Sequence, residues 1–137
     1  MKALDWSETL SIGDAVIDET HREFVACVNA LAEADEQGAL PALDAFLAHC
    51  ELHFGQEARW MHDLDFGAAQ CHRDEHDTVL TTAREVRRRV AAGEGNLEMV
   101  RFLAAAVAQW FESHAASMDA VLSLYMREHG YVATAGA

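Results

Sequence analysis

The sequence is poor in residues that interrupt helices, form strands or build crosslinks. Of its 137 residues, one is proline and three are cysteine. β-Branched residues are sparse and alanine is abundant. Cys27, Cys50 and Cys71 are odd in number and lack CxxC spacing, which indicates a reducing compartment and small helix-buried side chains rather than a disulfide framework. This composition favours an all-α protein.

Long apolar runs and basic residues are also scarce. No run approaches the roughly 18–20 apolar residues of a membrane span, and residues 1–8 lack the basic and apolar regions of a signal peptide. Ten Lys and Arg residues against 23 Asp and Glu residues give a formal net charge of −13. This charge would repel nucleic acid and anionic membranes. We therefore expect a cytoplasmic protein without nucleic-acid partners or membrane insertion.

Apolar residues recur at helical spacing in four stretches of the sequence. The pattern predicts helices at about 18–37, 41–63, 69–92 and 96–127. Because the connections are short, neighbouring helices should be antiparallel, which gives an up-down-up-down four-helix bundle.

The length suits a single domain over residues 1–137, with the bundle at 18–127. Residues 1–17 lack helical periodicity and are interpreted as an extended N-terminal arm. Residues 128–137 form a C-terminal tail whose end frays. The arm residues expected to pack on the bundle are Trp6, Leu10 and Ile12.

Several residues mark the expected helix ends. Asp18 and Glu19 suit the start of the first helix, where carboxylates cap the backbone and complement the dipole. Gly38 suits its end, and Pro41 suits the first turn of the second helix.

Seven potential metal ligands lie on these four helices. Imidazole suits iron, copper, nickel and zinc, and a carboxylate can bridge two ions with its two oxygens. Because a buried carboxylate without a partner is costly, a bound metal pair explains such residues on apolar faces better than packing does. The candidate ligands are His21, His53, Glu57, His72, His76, His114 and Asp119.

The spacing of these residues determines which of them share a helix face. His53 and Glu57 are four residues apart, so about 40° of rotation separates them and they share a helix face. The last pair, His114 and Asp119, is five residues apart, about 140° on an ideal helix. Either Asp119 reaches around to the bundle axis or the helix is locally widened into a π-bulge.

Two other kinds of metal site share some of these residue types. His72, Glu75 and His76 fit the H-x-x-E-H pattern of inverted zinc peptidases, with Glu75 as general base, but this leaves the other five ligands unexplained. The Glu-x-x-His motif of ferritin-like di-iron proteins is absent from the sequence. The remaining histidines are interpreted as bystanders: His49, His62 and His129.

The ordered motifs resemble those of the hemerythrin family, specifically single-domain bacteriohemerythrins. The shared pattern is a lone His, then H-x-x-x-E, H-x-x-x-H and H-x-x-x-x-D. The Trp6 arm, the Ile17-Asp18-x-x-His21 opening, His53-Phe54 and the Trp110 that precedes His114 are also similar to that family.

The resemblance implies a non-haem di-iron centre with an oxo or hydroxo bridge. It assigns His72, His76 and His114 to one iron. It assigns His21 and His53 to the other, which keeps an open position. Glu57 and Asp119 would bridge the two ions. The implied function is reversible O2 binding for carriage, storage or delivery, with an oxidase as an example of a protein partner.

Two alternatives are an O2 or redox sensor and a di-iron enzyme acting on peroxide or nitric oxide. The pattern favours the binding protein over an enzyme. The O2 pocket implied by the resemblance includes positions that differ from the usual family residues, with alanine at 115 in place of isoleucine and phenylalanines at 24 and 111 in place of leucine. Its expected residues are Phe24, Phe54, Trp110, Phe111 and Ala115.

Overall fold

Four long helical segments build the molecule, seen in a computed structural model that describes residues 2–134. The segments are α1 Ala15–Glu33, α2 Ala39–Asp63, α3 Ala69–Ala91 and α4 Leu97–His114, the last continued by a π-helical turn Ala115–Asp119 and by α5 Ala120–Glu128. Helix α2 packs between α1 and α3, and α4 packs against both α1 and α3. The predicted all-α four-helix bundle is confirmed, with α4, the π-helical turn and α5 as its fourth member.

The first helix begins three residues earlier than predicted. Asp14 Oδ1 accepts hydrogen bonds from Val16 N at 3.0 Å and Ile17 N at 3.1 Å, so Asp14 satisfies the free N–H groups of the first turn. The prediction that the helix begins at Asp18 was wrong, because Asp18 is buried and already inside the helix.

Asp18 instead fastens the N-terminal arm to the bundle. Its carboxylate accepts hydrogen bonds from Ser11 Oγ at 2.5 Å and from Ile12 N at 2.9 Å. Nearer the terminus, Asn29 Nδ2 donates to Leu4 O at 2.7 Å, and Asn29 Oδ1 accepts from Leu4 N at 3.0 Å. Between these two hydrogen-bonded points, the arm residues Trp6 and Leu10 pack on the core.

The end of α1 also differs from the prediction. The helix stops at Glu33, and Gly38 directly precedes α2 instead of ending α1. Asp35 Oδ1 accepts a hydrogen bond from Gly38 N at 2.7 Å. Such a local side-chain bond gives the backbone an alternative to a further helical turn.

Two apolar clusters fill the bundle, one on either side of a polar layer. The larger cluster includes Phe24, Leu43, Phe46, Val100 and Phe111. The smaller includes Ile17, Trp60, Met61, Leu122 and Met126. On each helical segment the predicted ligands fall between residues of these two clusters, so the ligands form a layer across the bundle.

Two residues of the C-terminal tail contact the bundle. Tyr131 Oη donates a hydrogen bond to Asp63 Oδ2 at 2.7 Å, and Ala133 is buried in the smaller cluster. The tail therefore contacts the bundle through Tyr131 and Ala133, and the last residues, 135–137, where fraying is predicted, lie outside the described residues. Within residues 2–134, none of the helices is long and apolar enough to cross a membrane.

Candidate metal centre

The seven predicted ligands converge in the polar layer, and each of their side chains is at most 4% exposed. They form two overlapping groups of donor atoms, and within each group all donors lie within 4.8 Å of one another. The five-donor half consists of Glu57, His72, His76, His114 and Asp119. The four-donor half consists of His21, His53, Glu57 and Asp119.

Glu57 and Asp119 belong to both halves, one oxygen in each. Glu57 Oε1 lies 3.0 Å from His72 Nε2, whereas Glu57 Oε2 lies 2.7 Å from His53 Nε2. Asp119 Oδ1 lies 3.0 Å from His72 Nε2, whereas Asp119 Oδ2 lies 3.1 Å from His21 Nε2. Each carboxylate is thus placed to bridge two ions.

The distances between donors fit metal coordination. Two donors that each lie about 2.0–2.2 Å from one ion, at roughly a right angle, are about 3 Å apart. In the five-donor half, His114 Nε2 lies 3.1 Å from Asp119 Oδ1 and 3.1 Å from His76 Nε2. Two imidazole nitrogens at this distance cannot both carry a proton, and a shared cation would satisfy both lone pairs.

Burial and neighbouring charged groups shift the pKa values of side chains in this layer in opposite directions. Burial alone would lower the pKa of His72, but its hydrogen bonds to Asp119 and Glu57 outweigh burial and raise that pKa to about 9. His76 lacks such close support, and burial lowers its pKa to about 3. Burial would raise the pKa of Asp119, yet the surrounding imidazoles hold it well below its usual range. The layer therefore holds carboxylates in their anionic form, which a bound cation prefers.

The π-helical turn decides where Asp119 lies. On an ideal α-helix His114 and Asp119 would diverge by about 140°. The five residues Ala115–Asp119 form the wider turn instead, so both side chains reach the same layer. Of the two explanations left open by the sequence, the locally widened helix is the one observed.

The predicted O2-pocket residues lie against different halves of the centre. Phe111 packs edge-on against His21 with ring centroids 5.0 Å apart, and stacks on Phe24 at 4.7 Å. Phe24 is also 5.9 Å from His53, so this aromatic pair covers the four-donor half. The other two rings stack on imidazoles of the five-donor half: Phe54 on His76 at 3.9 Å and Trp110 on His114 at 4.4 Å.

Ala115 lies at the boundary between the core and a surface cavity. The residue is 1% exposed and belongs to the larger apolar cluster. It also lines a cavity of about 340 Å³ between the arm and the fourth helix, with Ala116 and Ala120 beside it. A larger side chain at this position has space on the arm side.

Glu75 lies outside the donor groups and its carboxylate is engaged by two side chains of α4, which does not fit a general base of the zinc-peptidase pattern. Its Oε1 accepts hydrogen bonds from His114 Nδ1 at 2.8 Å and Trp110 Nε1 at 3.1 Å. The sequence pattern offers Glu75 as a general base and does not predict this contact. The signal in the sequence was weak, because nothing in it shows which residues of α4 face α3.

The bystander histidines lie outside both donor groups. His62 is exposed, and His129 Nδ1 donates to Tyr125 O at 2.8 Å. His49 is closer, with its ring 5.5 Å from that of His53. Burial, together with the charges of His53 and His21, lowers the pKa of His49 to about 4, so His49 is neutral near pH 7.

The three cysteines are free thiols and belong to neither donor group among the described residues. Cys50 is buried, as expected, and burial raises the pKa of its thiol. Cys71 is exposed, so the expectation of a buried side chain was wrong there.

Comparisons with known proteins agree with this geometry. Residues 13–123 match the family model described as the hemerythrin HHE cation binding domain. A bacteriohemerythrin from Ralstonia nicotianae is 42% identical over 130 residues, which cover 95% of this chain and 93% of that protein. One from Aquifex aeolicus is 30% identical over 112 residues, covering 79% and 86%. A crystal structure of wild-type hemerythrin has a TM-score of 0.75 at 22% identity, covering 86% of this chain and 93% of that one, a likeness of fold.

Proposed function

Because this chain belongs to the hemerythrin family of HHE cation-binding domains, we propose that it holds two iron ions in the polar layer and binds O2 reversibly. The observation that carries the proposal is the sharing of both carboxylates. Each of them offers one oxygen to each half of the centre, which is the arrangement that a pair of ions requires.

The residues divide between the two ions by distance. The imidazoles of His72, His76 and His114 would bind the ion in the five-donor half, and those of His21 and His53 the ion in the four-donor half. Glu57 and Asp119 would bridge the two ions, and their charges would be offset by the cations. An oxo or hydroxo group would complete the bridge, as in the family that the motifs resemble.

The difference in donor number supports O2 binding at one ion. The four-donor half has one potential ligand fewer than the five-donor half, so an ion held there would keep a coordination position for an external ligand. When bound between these residues, an iron pair would supply two electrons to O2 and would recover them on release. The Phe24–Phe111 pair packs against the imidazoles of this half and would exclude water from it.

The same surroundings favour binding over turnover. Among the described residues, the rings other than the ligands that pack against the imidazoles of the four-donor half are those of Phe24, Phe54, Phe111 and His49. Since the pKa of His49 is lowered to about 4, it is a poor proton donor at neutral pH. An enzyme that reduces peroxide or O2 would need such a donor.

Metal analysis combined with optical spectroscopy tests the proposal. We expect two iron ions per chain in protein isolated from iron-replete cells. We also expect the visible spectrum to change when reduced protein meets air and to return when O2 is removed. One zinc without iron would contradict the metal assignment, and a spectral change that never reverses would contradict reversible binding.

A further inference from the structure

His114 is held from outside the centre by a carboxylate on a different helix. Glu75, on α3, accepts hydrogen bonds through one oxygen from His114 Nδ1 at 2.8 Å and from Trp110 Nε1 at 3.1 Å. Both donors lie on α4, so the Glu75 carboxylate connects two neighbouring helices at the level of the polar layer.

This contact determines which nitrogen of His114 faces the centre. With Nδ1 donating to Glu75, the lone pair of Nε2 points to the donor group, where Nε2 lies 3.1 Å from both Asp119 Oδ1 and His76 Nε2. Trp110 covers the face of the same imidazole, at 4.4 Å between ring centroids and 22° between planes. The ring is thus fixed along its edge by Glu75 and across its face by Trp110.

The support is needed at this position because His114 ends α4, and the widened turn Ala115–Asp119 follows directly. The two halves of the centre also differ in this support. In the four-donor half, the buried Nδ1 atoms of His21 and His53 have no hydrogen-bond partner among the described residues. An anionic acceptor on Nδ1 makes an imidazole a stronger metal ligand.

We propose that Glu75 is a positioning residue that orients His114 and strengthens the hold on the metal ion in the five-donor half. This inference rests on the proposed function, since it concerns the ion that His72, His76 and His114 would bind. In the absence of Glu75 the His114 ring would be free to rotate or to change tautomer, and that ion would leave first.

The test compares Glu75→Gln and Glu75→Ala with Asp74→Asn. Asp74 is a suitable control because it is exposed, lies on the same helix, and its side chain accepts a hydrogen bond from Gln70 of α3. The measurements are the binding of ferrous iron to metal-free protein under anaerobic conditions and the rate of iron loss to a ferrous chelator. Optical spectra of the refilled centres provide a second readout.

We expect wild type and Asp74→Asn to bind two iron ions and to release them at the same rates. Glu75→Ala should lose affinity for one of the two ions by about 10–100-fold, the usual effect of removing a group behind a metal-binding histidine. Glu75→Gln keeps an acceptor without the charge and should fall between the two, which remains measurable if the alanine variant does not fold.

Equal affinity and equal release rates in Glu75→Gln and Asp74→Asn would overturn the positioning role while leaving the di-iron proposal standing. Equal weakening of both ions would also overturn it, since that result indicates a general loss of structure. Wild-type protein that binds no iron would overturn both proposals.

Discussion

Removal of the metal should make the stability of this protein depend strongly on pH between 6.5 and 9. In the metal-free chain, hydrogen bonds to Asp119 and Glu57 overcome the effect of burial and raise the pKa of His72 from 6.5 to about 9. His114 shifts in the same direction, because its contacts with Asp119 and Glu75 outweigh burial. The folded chain therefore binds more protons than the unfolded chain in this range, and unfolding becomes easier as pH rises.

The size of the effect follows from the pKa of His72. At about 1.4 kcal/mol per pKa unit, the rise from 6.5 to about 9 amounts to roughly 3 kcal/mol. This stability is fully present below pH 6.5 and is lost as the pH rises through 9. With a urea dependence of about 2 kcal/mol per molar, the unfolding midpoint should fall by about 1.5 M.

Urea unfolding of metal-free protein at pH 6.5 and pH 9 measures this difference. Iron-loaded protein is the control, since a bound ion replaces the proton on the His72 nitrogen and removes its contribution. His72→Gln should flatten the dependence in the metal-free chain. A metal-free protein whose midpoint stays constant or rises over this range would refute the reasoning.

Four further outcomes are expected. Glu57→Ala should abolish binding of the iron pair, because both halves lose a donor, whereas His129→Ala should keep two iron ions by metal analysis; the opposite pattern would contradict the assignment. Ala115→Ile should change the lifetime of the O2-bound form by less than about threefold. This is a smaller change than the tenfold one that corresponds to roughly 1.4 kcal/mol in the activation barrier. A large slowing that is absent from Ala116→Ile, which lines the same cavity, would show that water enters past position 115. Deleting Ala116 should restore four-residue spacing between ligands and leave iron content intact, and iron loss from a folded deletion variant would mean that the π-helical turn is required. Asp18→Ala should cost about 1–3 kcal/mol in thermal or urea unfolding by freeing the arm, and unchanged stability would show that these hydrogen bonds contribute little.

The sequence by itself determined the helical class and the membership of the polar layer. Apolar residues at three- and four-residue steps specify which face of each helix is buried, and this period is a local property. The pairing of His53 with Glu57 follows from the geometry of a single helix. The absence of Glu-x-x-His excluded a ferritin-like centre from the same local reasoning.

Tertiary structure decided what depends on contacts between segments. Asp18 looked like a helix-start residue, yet it fastens the arm, because the capping position had already been filled by Asp14. From the sequence, Asp119 could reach the polar layer either by extending around the helix or through a locally widened helix. The structure has the widened turn, and the packing of the bundle decides between the two. The contact of Glu75 with His114 joins residues 39 positions apart, and no local period encodes which residues of α3 and α4 face each other.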